Sequence, residues 1–76
     1  LDFGTTQAQI RRIMDICNTF IKRDKKFLAR VEKELMINPG NAAKVLEKLI
    51  AKVEEYPKKE IPAIIRYVLR EDFGIK

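Results

Sequence analysis

The chain has 76 residues, 46% of them hydrophobic and 36% charged, with 16 Lys and Arg against 11 Asp and Glu, a net charge of +5. That balance excludes a disordered chain, and the length excludes more than one globular domain, so residues 1–76 are read as a single small domain with a thin stability margin. There is no His and one cysteine, Cys17, which removes the commonest general base, an internal disulfide and any cysteine metal cluster.

Cysteine usage this sparse points to a reducing, intracellular setting, cytoplasmic by default. The longest apolar run is far short of a membrane span, and the N-terminus lacks the basic-then-apolar layout of a signal peptide. The chain starts at Leu1 rather than Met, which suits either a fragment of a larger protein or a processed product.

Residues 1–5 read as an extended lead-in. Thr6 with Gln9 three residues on fits a capping box, which satisfies free amides at a helix start. The first helical region then runs over 6–36. Its apolar residues keep a seven-residue register in three columns: Ile10, Cys17, Val31; Ile13, Phe20, Phe27; Met14, Ile21, Leu28, Leu35. Residues three, four and seven apart share one side of a helix, so the columns form one stripe.

Lys22-Arg23-Asp24-Lys25-Lys26 interrupts this register with five charges in a row. Two readings stay open. One helix crosses the segment, about 45 Å long, with Asp24 as a polar residue in a seam that sets register against a partner helix. Or the helix breaks near 22–26 with Asp24 as an N-cap, and the monomer closes on itself.

Asn38-Pro39-Gly40-Asn41 is a strong turn, with Asn41 placed to cap the next helix. That helix spans 42–55, with Ala42, Val45, Leu46, Leu49, Ile50, Val53 and Tyr56 on one side. Pro57 stops it. A last helix covers 59–73, with Pro62 in its first turn, Ile61, Ile64, Ile65, Val68 and Leu69 on its apolar side, and Gly74 as a C-cap. No strand alternation occurs. The expected architecture is all-α, a small bundle of three or four amphipathic helices.

The charge excess is uneven. Residues 6–36 carry eight cations and four anions, 41–56 three of each, and 57–76 five cations and three anions. Around the back of the first region run Arg12, Lys22, Arg23, Lys26, Arg30 and Lys33. Arg12, Lys26 and Lys33 share one heptad column; Arg23 and Arg30 share its neighbour. Cations at this spacing suit a phosphate backbone, neutralised without reading bases; the competing reading is an ordinary solvated face. Arg66 and Arg70 lie four apart on the last helix. Between them Tyr67 either stacks on a base or sits at the core rim with a wet hydroxyl.

Catalysis finds little support. Cys17 falls on the apolar face, where a cysteine packs as a small hydrophobe. The neighbouring pairs Glu32 and Glu34, Glu54 and Glu55, and Glu71 and Asp72 point apart on a helix. Asp-Phe-Gly occurs at residues 2–4 and 72–74, but without the strand and loops that give this triplet magnesium chemistry in protein kinases. No cofactor or metal is expected.

The segment Thr6-x-x-x-Ile10-Arg11-Arg12-Ile13-Met14-Asp15-x-x-Asn18 resembles the start of the small helical subunits of type III CRISPR effector complexes. It covers about a sixth of the chain. The remainder lacks the tyrosine- and arginine-containing segments of that family, and the resemblance assigns no residue a role.

The expected function is therefore a non-catalytic basic module of a nucleic-acid-handling protein or ribonucleoprotein. It would contact phosphates through Arg12, Lys22, Arg23, Lys26, Arg30 and Lys33, with Arg66 and Arg70 as auxiliaries; an acidic protein surface would suit the same cations. The alternative is an interaction or oligomerisation domain in which a second copy, or parent-protein domains, cover the stripe from Ile10 to Leu35. A membrane surface is disfavoured, because the later helices need that stripe for their own apolar faces.

Overall fold

Five consecutive charged residues end the first helix. In the computed structural model, which describes the backbone of residues 3–75 and the side chains of 6–75, α1 runs Phe3–Ile21 and α2 runs Lys25–Ile37. Asp24 leaves helical geometry at φ −92°, ψ 66°. Its amide donates to the Ile21 carbonyl at 3.0 Å, and its carbonyl accepts the first bond of α2 from the Leu28 amide at 3.0 Å. The reading with two helices is thus the correct one, and the continuous helix over 6–36 is not formed.

The three-residue turn folds α2 back along α1, so that Ile10 and Met14 share a hollow with Glu32 and Met36. Each helix keeps its own part of the stripe. Ile10, Ile13, Cys17 and Ile21 are buried from α1; Phe27, Leu28, Val31 and Leu35 are buried from α2. The seven-residue register survives the break because both faces turn toward one core.

Helix starts differ from the sequence expectation. α1 already includes Phe3, Gly4 and Thr5, so residues 3–5 are not an extended lead-in and Thr6 is within the helix rather than its cap; residues 1–2 lie outside the described residues. Asp24 and Asn41 stand at cap positions, yet neither side chain makes a capping hydrogen bond. Asn41 is already helical, at φ −83°, ψ −12°, because a 3-10 turn over Pro39–Asn41 feeds directly into the next helix.

α3 spans Ala42–Glu55 and buries Ala42, Val45, Leu46 and Leu49. It stops where Tyr56 turns extended (φ −113°, ψ 153°), the conformation that the following Pro57 imposes. A 3-10 turn over Lys58–Glu60 leads into α4, Ile61–Tyr67, with Pro62 in its first turn, where a missing amide costs little. The expected helix over 59–73 is therefore formed in three pieces. Its last piece, Val68–Asp72, widens into a π turn.

Gly74 closes that turn at φ +67°. Its amide donates to the Arg70 carbonyl at 3.1 Å, and the Ile75 amide donates to the Leu69 carbonyl at 2.9 Å. A left-handed glycine here matches a common helix ending, in which the next apolar residue packs back on the helix. Ile75 does so and is 3% exposed. Lys48 on α3 holds Asp72 at 2.7 Å.

Among the described residues there are four α-helices and no strand, in a body of 37 × 24 × 20 Å. α1 packs chiefly on α3 and α2, and one apolar core runs through all four helices. No charged or polar residue is buried among the described residues.

Candidate nucleic-acid interface

The break at Lys22–Asp24 splits the basic stripe. Arg12 stays on α1, exposed, while Lys22 and Arg23 are exposed in the turn. Lys26, Arg30 and Lys33 project from α2, also exposed. Their spacings of four and three residues put them along one side of that helix. A single cationic column from Arg12 to Lys33 does not exist, because Arg12 belongs to a different helix.

The C-terminal π turn meets this α2 face. Arg70 extends over the Phe27 ring, with its guanidinium carbon 5.9 Å from the ring centroid. Asp24, Lys26, Phe27, Arg30 and Arg70 together line a hollow of about 220 Å³. Arg30 also lines an adjoining hollow of about 300 Å³ with Lys33, Glu34 and Gly74. Lys26, Arg30, Lys33 and Arg70 thus border two hollows that share Arg30. Arg12, Lys22 and Arg23 line neither hollow.

Phe27 has two jobs here. Its body is buried in the core at 6% exposed, and its ring face carries the Arg70 guanidinium, an attraction between cation and ring quadrupole. A planar guanidinium resting on a ring loses fewer conformations when it binds an oxyanion. Nothing in the local sequence signals this, because residues 27 and 70 meet only through the tertiary fold.

Arg66 is placed differently from Arg70. Its Nε donates to Asp24 Oδ2 at 3.3 Å, with both side chains 36% exposed. Arg66 is therefore already bonded to a carboxylate, and that carboxylate forms part of the hollow's wall. Tyr67 is 65% exposed. The expectation that it sits at the core rim is corrected, since the apolar side of α4 is completed by Ile61 and Ile65.

The remaining chemistry-bearing groups lie elsewhere. Cys17 is wholly buried among apolar side chains, and burial pushes its thiol up to about 11. Among the described residues no group of three His, Cys, Asp or Glu could hold a metal ion. None of the described helices is long and apolar enough to cross a membrane. No protein-family model, curated protein or solved structure matches the chain.

Proposed function

We propose that the chain is a non-catalytic helical module that binds nucleic-acid phosphates along the cationic strip of two hollows bordered by Lys26, Arg30, Lys33 and Arg70. One observation carries this reading: the π turn brings Arg70 onto the Phe27 ring, beside the cations of α2. Four cations from two distant segments then border these two hollows. Close cations reinforce one another's field at a polyanion and displace its counterions on binding. Asp24 and Glu34 in the same walls lower the net charge, so contacts would be few and independent of base sequence.

The test is an anisotropy titration with short single strands and duplexes of DNA and of RNA, repeated at several salt concentrations. About four phosphate contacts predict roughly a hundredfold loss of affinity between 50 and 200 mM salt. Reversing Lys26, Arg30 and Arg70 to Glu should remove binding, whereas Arg12→Glu should weaken it far less. Absence of binding by the unaltered chain at low salt would overturn the reading.

The alternative built on the Ile10–Leu35 stripe has lost most of its surface, since Ile10, Ile13, Cys17, Ile21, Val31 and Leu35 are covered within the chain. A protein partner would have to use the apolar side chains left outside, chiefly Met36, Ile37 and Tyr67, which are 65%, 61% and 65% exposed.

A further inference from the structure

We propose that the hollow between α1 and α2 is a docking surface for a second copy of this chain, closed by a two-fold axis. The hollow has a volume of about 250 Å³ and a floor of Ile10, Met14 and Met36. Ile37, the last residue of α2, is 61% exposed beside Met36 in sequence, outside the lining of the hollow. Met36 is 65% exposed, with Tyr67 the most exposed of the large hydrophobic side chains among the described residues. Methionine adapts its shape to an apposed surface, which suits it to contacts between proteins.

The rim identifies the occupant. Arg11, Asp15 and Glu32 stand around the methionines, and none of the three forms an ion pair among the described residues. Arg11 precedes Asp15 by four residues, the less favourable order for pairing along one helix. Both signs of charge are therefore present and unused on one small patch. In a two-fold contact residue i meets j while j meets i. Arg11 of each copy can then face the acidic rim of the other, giving two equivalent cross-pairs around an apolar centre. An apolar centre with a polar rim is the usual anatomy of a protein interface.

The cationic strip does not offer this. The chain carries +5, and the α2 face with Lys26, Arg30 and Lys33 would set like charges against each other in any self-contact, which is unfavourable. The docking surface and that cationic strip involve different residues, so a pair could expose two strips at once. The patch is small, and small interfaces give weak, transient pairs.

Sedimentation equilibrium on the full chain, up to about 1 mM where contacts this weak become populated, tests the assignment. The expected result is a mass rising from 8.9 kDa toward twice that value and no further. Met36→Glu should hold the chain monomeric while leaving its helical circular dichroism intact, because the side chain is already 65% exposed. Arg11→Glu should weaken the pair about tenfold, and combining it with Glu32→Arg should restore the pair. A monomer at every concentration overturns the proposal. So does a dimer indifferent to Met36→Glu and Arg11→Glu, a double variant that fails to regain pairing, or a mass that keeps growing beyond two copies.

Discussion

Arg66 Nε donates to Asp24 Oδ2 across 3.3 Å, joining α4 to the turn between α1 and α2. The bond spans 42 residues of sequence and fixes what both partners can do. Asp24 is the anion inside an otherwise cationic hollow, and Arg66, one of the eight cations drawn from sequence, is held by that anion.

Replacing Asp24 by Asn keeps the shape and removes the charge. Arg66 then loses its ionic partner and becomes available to a phosphate. Nucleic-acid affinity should rise several-fold at low salt, and the slope of log affinity against log salt should steepen by about 0.7–0.9, the value of one added phosphate contact. Stability should fall by less than ~1 kcal/mol, since both side chains are 36% exposed and water screens the pair. Anisotropy titrations across salt and a thermal melt measure the two effects separately. An unchanged slope would mean that Arg66 does not reach the ligand.

Legibility in the sequence follows the range of the interactions involved. α3 could be read almost to the residue, because its apolar spacing, the turn before it and Pro57 after it are all local signals. The break after Ile21 could not be decided. The apolar register runs through it unchanged, and the contacts that secure the fold-back come from Arg66 and from the packing of α2 on α1. The basic strip shows the same division. Lys26, Arg30 and Lys33 follow from helical spacing, whereas the arrival of Arg70 depends on a π turn and on a ring 43 positions away in the chain. Arg12 does not join them, because the heptad column crosses a helix that ends at Ile21. Ile75 was missed for another reason: it follows a glycine cap, where periodicity no longer indicates which way a side chain points.

Cys17 predicts a pH dependence. Its native thiol titrates at about 11, against 9.0 for the ordinary group, because burial disfavours the thiolate. As pH rises past about 9 the unfolded chain releases this proton first, so unfolding gains and native stability falls until the native thiol also ionises near 11. The loss should reach no more than ~3 kcal/mol, the worth of a shift of this size. Chemical denaturation of the chain and of Cys17→Ala between pH 8 and about 11 isolates the effect, because lysine and tyrosine titrations are common to both. The Ala variant should show the shallower pH slope. At neutral pH a thiol reagent should label Cys17 only as fast as the core opens.

The two glycines of the loops should respond oppositely to the same substitution. Gly74 has φ +67°, and a Cβ built there meets nothing within 4 Å. Gly74→Ala therefore introduces no clash, only the left-handed backbone strain of an L-residue, about 1–2 kcal/mol. Gly40 sits in the 3-10 turn over Pro39–Asn41 without positive φ, and its Cβ position is equally open. Gly40→Ala should stabilise by about 0.4–1 kcal/mol, because it restricts the unfolded chain without straining the native one. For a domain of this size such changes move the melting midpoint by several degrees, about 4–8 °C per kcal/mol. The pair also tests the strip. Gly74 secures the turn that carries Arg70 and lines the hollow beside Arg30 and Lys33, so Gly74→Ala should weaken phosphate binding even at temperatures where the chain remains folded. Gly40→Ala, at a residue that lines neither hollow, should leave binding unchanged. Equal binding by both variants would show that Arg70 keeps its place without the left-handed cap.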